Sequence, residues 1–164
     1  MKNWNDRSVI TKNLLNPAFC SEVIRKTIKA YNINENGNGF PYSLLFLILP
    51  IVLHKRTRQN MPRSYKTYFH SWVDENESLF IDFANRVKQL SPFTKEAIMF
   101  LLMYDCAKIN DFGCIEIFQY QNKTPQGNNT DEITEIYKKA ELLGKWFCET
   151  GNEQTIYMFL KIRP

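Results

Sequence analysis

The sequence predicts a mainly α-helical domain with a small β element, an α+β fold. Apolar residues recur at helical spacing over most of the N-terminal two thirds, which is typical of helices that bury one face. Near the C-terminus two segments, CIEIFQYQ and TIYMFLKI, read as short strands. With 164 residues the chain has the length of one domain. We predict an N-terminal helical bundle over 1–93 and a helix–strand–helix–strand part over 94–164.

The first clear helix is predicted to begin at Asn16-Pro17. Asn is a good N-cap, and Pro suits the first helical position. Apolar residues then follow the i, i+3, i+4 pattern from Phe19 to Tyr31, and only Thr27 interrupts them. This pattern indicates a surface helix with one buried stripe.

The next predicted helix begins near Pro41 and contains the run from Leu44 to Leu53, which is apolar apart from Pro50. Ten residues are too few to cross a bilayer, which requires about 20. A run that is apolar on every side belongs in a protein core. Pro50 removes one backbone donor, so we expect it to kink or split this helix.

Three more helices are predicted before the strands. Ser64 is expected to cap an aromatic helix, and a second helix, NESLFIDFANRVKQL, should break at Ser91-Pro92. Thr94 should then cap a third helix, KEAIMFLLMYDCAKI. The rings and aliphatic residue of the aromatic helix form one stripe: Tyr65, Tyr68, Phe69, Trp72 and Val73.

The period changes after a predicted turn at Asp111-Phe112-Gly113. CIEIFQYQ reads as a strand, with Ile115, Ile117 and Tyr120 around the polar Glu116 and Gln119. NKTPQGNNT reads as a loop.

A helix from Asp131 carries Gly144 on its inner face, which suggests close approach by another backbone. Gly151 should end this helix, and TIYMFLKI reads as a second strand. This element order is compatible with a winged-helix-like C-terminal unit.

The net charge of +4 is concentrated in one segment. No acidic residue occurs between Glu35 and Asp74, and five basic residues there leave −1 for the rest of the chain. The four cysteines lack CxxC spacing and have no nearby histidine, so we expect no zinc site. The N-terminal residues lack the apolar run of a signal peptide, and we expect a cytoplasmic protein with reduced thiols.

The motifs of catalysis are missing from the sequence. His54 and His70 have no Ser, Cys or carboxylate at suggestive helical spacing, and HExxH is absent. The GNG at 37–39 lacks the remaining residues of a phosphate-binding loop. We therefore predict no enzymatic activity and no cofactor.

The basic segment is the remaining candidate site: His54, Lys55, Arg56, Arg58 and Arg63. Its cations could contact nucleic-acid phosphates or an acidic surface of another protein. They could also be the solvated C-terminal end of a helix, where cations are favourable.

Several motifs together resemble a known family. NPAFCSEVIRKTIKAY is followed by PYSLLFLILPIVLHKRTRQNMPRS, then by WVDEN, FTKEAIMFLL, ELLGKWF and TIYMFLKIRP. In this order they resemble the middle component of three-component ABC systems of the Lamassu anti-phage type, from about residue 16 to 164. One departure is Lys161, where the resemblance leads us to expect Gly.

The resemblance implies a non-catalytic bacterial adaptor. It would bridge an ABC ATPase similar to structural-maintenance-of-chromosomes (SMC) proteins and an effector, often a nuclease, and would restrain the effector. The adaptor would contact DNA mainly through the assembled complex. The alternative is a small DNA-binding regulator that uses a winged-helix-like unit and the basic segment 54–66. For the adaptor, we predict that reversing Arg56 and Arg58 to Glu weakens assembly without unfolding the protein.

Overall fold

The computed structural model describes residues 15–32, 39–118 and 130–163. Over these residues the chain is mainly helical with one small antiparallel sheet, which confirms the predicted fold class. The helices are α1 (Pro17–Asn32), α2 (Leu45–Val52), α3 (Lys55–Asn60), α4 (Phe69–Glu75), α5 (Phe83–Met103), α6 (Asp131–Thr150) and α7 (Glu153–Phe159). The strands are β1 (Phe40–Pro41), β2 (Ala107–Ile109) and β3 (Cys114–Ile117), and short 3-10 helices cover Tyr42–Leu44 and Glu77–Leu79.

Helix α1 begins where the sequence predicts. The side-chain oxygen of Asn16 accepts a hydrogen bond from the backbone amide of Ala18 at 2.9 Å, and Pro17 is the first helical residue. Thr27 is buried, and its hydroxyl donates to the carbonyl of Val23. Burial of Thr27 within the apolar stripe leaves no unsatisfied hydroxyl group, because its hydrogen bond is made within the helix.

Helices α1 and α6 touch at Gly144. A Cβ at this position would lie 2.1 Å from the carbonyl oxygen of Thr27 and 3.0 Å from Cβ of Ala30. No side chain fits in that space, so the predicted close approach at Gly144 is confirmed, and the approaching backbone is that of α1. This contact sets the outer faces of α1 and α6 side by side.

Helix α2 lies in the core, as its sequence predicts. All of its side chains except Phe46 are buried. The helix continues through Pro50 and ends at Val52, so the chain does not break at the proline itself. Pro41, expected near the start of this helix, lies in β1 instead and precedes a 3-10 helix.

The aromatic segment is helical only in its second half. Helix α4 begins at Phe69, so the predicted cap at Ser64 is wrong. Phe69 and Trp72 are buried as expected, whereas Tyr65 and Tyr68 precede the helix and are exposed. The four rings share helical spacing in the sequence, but only Phe69 and Trp72 lie in a helix and are buried.

Tertiary hydrogen bonds hold the preceding residues out of a helix. The Trp146 indole donates to the carbonyl of Thr67 at 2.6 Å. The Lys139 ammonium donates to the carbonyls of Met61 and Pro62 at 2.6 and 2.9 Å. These carbonyls bond to α6 and are therefore not engaged in a local helix.

Helix α5 is continuous through Ser91 and Pro92, so the predicted break there is wrong. The Ser91 hydroxyl donates to the carbonyl of Val87, and the Thr94 hydroxyl donates to that of Leu90. Thr94 is thus an interior residue and not a cap. Proline inside a helix costs roughly 3 kcal/mol, which the packing of α5 against α1 and α2 offsets. The helix also crosses the boundary predicted at residue 93.

The sheet has the order β1-β3-β2. Strands β2 and β3 form a hairpin around the turn predicted at Asp111-Phe112-Gly113, and β3 confirms the CIEI part of the predicted strand. Strand β1 pairs with the other edge of β3, with Phe40 opposite Ile115. Neither β1 nor β2 was predicted.

Helix α5 ends earlier than the sequence suggested. Asp105 has a φ of 52°, and its amide donates to the carbonyl of Leu102. The amide of Cys106 donates to the carbonyl of Leu101 at 2.9 Å. These two bonds form a Schellman motif, which ends the helix before the AKI residues of β2.

The predicted C-terminal strand is wrong, because TIYMFLKI belongs to helix α7. The Asn152 side chain caps this helix by accepting from the amide of Thr155 at 2.9 Å. Ile156, Tyr157 and Leu160 are buried at helical spacing. Their strand propensity is outweighed by the cap and by this packing. Without its last strand, the predicted winged-helix-like unit is not formed.

Lys161 occupies the position where the family resemblance led us to expect Gly. Its φ is 55°, in the left-handed region that Gly favours. The Lys161 amide donates to the carbonyl of Met158, and the Ile162 amide donates to that of Tyr157, which forms a second Schellman motif. The left-handed conformation at this position of the turn explains why a Gly is expected there.

The helix predicted from Asp131 is confirmed as α6, and it ends at Gly151, whose φ is 95°. Thr130 caps it by accepting from the amide of Ile133. Tyr120 and most of the predicted loop NKTPQGNNT lie outside the described residues.

Candidate interaction surfaces

The basic segment does not end a helix but forms one of its own. Helix α2 ends at Val52, and α3 begins at Lys55 with His54 as its N-cap. Lys55 and Arg56 therefore lie in the first turn of a helix, where the backbone dipole disfavours positive charge. The interpretation that the cations stabilise a helix C-terminus is therefore wrong for Lys55 and Arg56, whereas Arg58 donates to the carbonyls of Val52 and Leu53 at the end of α2.

The His54 ring is part of a small polar network. Its Nδ1 accepts from the amide of Thr57 at 3.3 Å and lies 2.7 Å from the Thr57 hydroxyl. Arg86 donates to the same hydroxyl and to the carbonyls of Pro50 and Leu79. Burial, followed by the nearby cations Arg86, Arg56 and Arg58, lowers the pKa of His54. The ring therefore stays neutral at pH 7 and keeps its capping role.

Arg58 points inward, unlike its neighbours on α3. Its side chain is 1% exposed and donates to the carboxylates of Glu132 at 2.7 Å and Glu135 at 3.1 Å. It also donates to the carbonyls of Val52 and Leu53 at 3.1 and 3.3 Å. Arg58 thus joins α3 and the end of α2 to α6. Reversing it to Glu would unfold this junction, so the predicted double reversal with Arg56 does not test the surface alone.

The structure divides the predicted site residues into three environments. Lys55 and Arg56 are exposed on α3, and Arg58 is buried. Arg63 follows α3 and lines a cleft with Lys138 and Lys139 of α6. Partner binding at the exposed cations stays a prediction.

Sequence reasoning missed a group of exposed apolar side chains on α5 and on the hairpin. Met103 is 77% exposed and Phe112 is 86% exposed. The end of α5 adjoins the hairpin, where the carbonyl of Cys106 accepts from the amide of Phe118. We call these exposed side chains together the apolar surface: Met99, Met103, Tyr104, Ile109, Phe112 and Phe118. Ile109 and Phe118 lie on opposite faces of the hairpin, since Ile109 pairs with Ile115 and Phe118 follows Ile117.

A signal for the apolar surface is present in the sequence. From Ala97 to Tyr104 every residue is apolar or aromatic, which is more than one buried helix face requires. Ten large apolar side chains are exposed among the described residues, and six of them lie in the apolar surface. This concentration is typical of a protein–protein contact and differs from scattered surface apolar residues.

Within the described residues, no group of three or more His, Cys, Asp or Glu side chains is arranged to hold a metal ion. Burial raises the pKa of Cys20 to about 12, so its thiol stays protonated and unreactive. His70 lies against the rings of Tyr68 and Phe159, in an aromatic cluster. Within the same residues no helix is both long and apolar enough to cross a membrane.

The chain matches a known protein-family model. The family model described as ABC-three component (ABC-3C) system Middle Component 3 matches residues 4–164. No curated protein and no solved structure matches the chain.

Proposed function

The chain belongs to the Middle Component 3 family of ABC-three component systems, and we propose that it is the non-catalytic adaptor of its system. In this proposal it bridges an SMC-like ABC ATPase and an effector, such as a nuclease, and restrains the effector. The setting is a bacterial anti-phage defence of the Lamassu type, in the cytoplasm. The apolar surface is the observation that carries the proposal beyond family membership.

We assign the apolar surface to the ATPase. Contacts that persist throughout the life of a complex are more apolar than those that form and break. Methionine and aromatic side chains are enriched in the centre of such contacts. Met103 presents a large apolar group at the end of α5, and Phe112 presents one at the hairpin turn. A permanent attachment to the ATPase fits this chemistry.

We assign Lys55 and Arg56 to the effector. A restraint that must be released requires a contact that is easily broken, and exposed ion pairs contribute little affinity and are screened by salt. Both side chains are exposed in the first turn of α3, where they do not stabilise the helix. An acidic patch on the effector is the complementary surface.

Co-expression of the three components with a tag on the ATPase tests these assignments. The double variant Met103→Glu/Phe112→Glu should abolish retention of the adaptor by the tagged ATPase. Met158→Glu is the matched control, because Met158 is 65% exposed but lies on α7, outside the apolar surface. Circular dichroism should confirm that all variants fold.

Binding of the effector to Lys55 and Arg56 is measured separately in the same purification. Lys55→Glu/Arg56→Glu should leave the adaptor on the ATPase but lose the effector, and raised salt should release the effector from the wild-type complex. Retention of the Met103→Glu/Phe112→Glu adaptor at the wild-type level would refute the assignment of the apolar surface. An effector that stays bound to Lys55→Glu/Arg56→Glu would refute that of α3.

A further inference from the structure

Three concavities that share lining residues lie along α6, one of them beside α1 and another beside the residues around Tyr68. Their volumes are about 400, 510 and 220 Å³. Tyr65 lines the first two, and Glu141 and Lys145 line both the second and the third. We call these joined concavities the basic cleft.

The basic cleft carries an excess of positive charge. Eight basic side chains and three carboxylates line it, a net charge of +5, and Glu22, which does not line it, pairs with Arg25 at 2.7 Å. Helix α1 supplies Arg25, which is buried, Lys26, which pairs with Glu141 at 3.1 Å, and the exposed Lys29. Cations from three separate parts of the chain therefore converge here, although only one basic segment is visible in the sequence.

The other five cations come from α6 and from the segment before α4. They are Lys138, Lys139 and Lys145, with Arg63 and Lys66. Within the described residues no carboxylate forms a salt bridge with Arg63, Lys66 or Lys138, and each of these three is exposed.

Lys139, in the middle of the cleft, is already engaged by the protein. Its ammonium is half-buried and donates to the carbonyls of Met61 and Pro62. Burial lowers its pKa, Glu135 raises it, and Arg63 lowers it by a smaller amount than Glu135 raises it. The exposed cations on either side of Lys139 are therefore the ones that can contact an anion.

Exposed rings stand beside the cations. Tyr68 is 72% exposed and stacks on His70, with ring centroids 5.7 Å apart. The Lys145 ammonium lies 5.3 Å from the centre of the Tyr65 ring. Exposed rings next to a basic groove are the arrangement that binds single strands, since unpaired bases stack on the rings while cations neutralise phosphates.

We propose that the basic cleft binds single-stranded nucleic acid. The phosphates follow Lys138, Lys145 and Lys29, and bases stack on Tyr68. A duplex offers phosphates but hides the faces of its bases, so the ring selects single strands. This inference concerns the isolated chain and does not depend on the assignments of the ATPase and effector surfaces.

Fluorescence anisotropy with the full-length chain tests the proposal. The probes are a labelled 20-nucleotide thymidine strand, a uridine strand and a mixed-sequence duplex of the same length. Single strands should bind more tightly than the duplex. If four phosphates are neutralised, raising salt from 50 to 200 mM should weaken binding about 50-fold. The two single strands distinguish DNA from RNA.

Variants locate the binding on the surface. Lys138→Glu/Lys145→Glu should abolish binding at 50 mM salt, and Tyr68→Ala should weaken it about tenfold through the lost stacking. Lys88→Glu/Lys95→Glu on α5 makes the same charge change at two exposed lysines outside the cleft and should have a small effect.

Three results would overturn the proposal: absence of binding at 50 mM salt, equal losses in the two lysine pairs, or a duplex that binds as well as the strands while Tyr68→Ala has no effect. A negative result for nucleic-acid binding would not affect the interpretation of the co-purification, because the co-purification is measured on the assembled complex.

Discussion

Removal of Arg58 should destabilise the protein far more than removal of its neighbour Arg56. Arg58 is 1% exposed and donates to two carbonyls and two carboxylates, whereas Arg56 is exposed on the same six-residue helix. Both arginines carry the same charge in the same segment. The comparison therefore isolates the effect of burial.

The expected loss in Arg58→Ala can be worked out from these contacts. The two backbone carbonyls lose bonds from a charged donor, and a bond of this kind contributes about 1.5 kcal/mol or more. The side chains of Glu132 and Glu135 are 60% and 36% exposed, so water replaces the arginine and each loses at most about 0.5–1 kcal/mol. The free energy of unfolding should fall by about 3–4 kcal/mol.

Urea denaturation monitored by circular dichroism measures this loss. With an m-value of about 2 kcal/mol/M, the Arg58→Ala midpoint should fall by about 1.5–2 M. Arg56→Ala should change the free energy of unfolding by less than about 0.5 kcal/mol. Arg58→Lys should be intermediate, since one ammonium cannot reproduce the fork of a guanidinium. Equal midpoints for Arg58→Ala and Arg56→Ala would refute the structural role of Arg58.

Three further changes probe other parts of the fold by the same assay. Gly144→Ala should lower the free energy of unfolding by at least about 3 kcal/mol, because the new methyl group meets the carbonyl of Thr27, and a wild-type midpoint would contradict this close approach. The lowered pKa of His54 means that its contribution is complete above about pH 6.5 and declines as pH falls below it. His54→Asn keeps a capping side chain, so this part of the pH dependence should disappear; a profile unchanged between pH 7.5 and 5.5 would argue against it. Both Lys161→Gly and Lys161→Ala lose the exposed pair with Glu77. Lys161→Gly should nevertheless raise the thermal midpoint because it relieves a left-handed residue, whereas Lys161→Ala should lower it because the strain remains.

Where local signals and burial agree, the sequence predicted the structure well. Asn16 and Pro17 define the start of α1 because capping depends on neighbours in the chain. Gly144 indicated a close helix contact because an inner-face glycine has few other uses. Gly151 marked the end of α6 for a similar local reason. In each case the signal lies in one residue or in residues a few positions apart in the sequence.

The errors arose where distant contacts decide the local structure. Pro92 breaks an isolated helix, but α5 continues because it packs against α1 and α2. Tyr65 has helical spacing with Trp72, yet carbonyls near it are bonded to Lys139 and Trp146 of α6. No window of a dozen residues contains these partners, so periodicity could not detect them.

The surfaces were harder to predict than the elements for the same reason. The basic segment was visible as a run of charge, but its burial pattern was not, and Arg58 proved to be the internal residue. Lys29 and Lys138 are more than a hundred positions apart and meet along the basic cleft only after folding. Counting charge along the sequence identifies cations that are adjacent in the chain. A cleft is formed by cations that become adjacent only in the folded structure.

Glu135 connects the junction at Arg58 with the basic cleft, because it pairs with Arg58 at 3.1 Å and also lines the cleft beside Lys139. Glu135→Gln should therefore act in opposite directions on two properties. The free energy of unfolding should fall by up to about 1 kcal/mol as Arg58 loses one charged partner. The affinity of the isolated chain for a single strand should rise, because the cleft becomes more positive by one charge. A loss of both stability and affinity would mean that Glu135 shapes the cleft through the fold, and would contradict a purely electrostatic role.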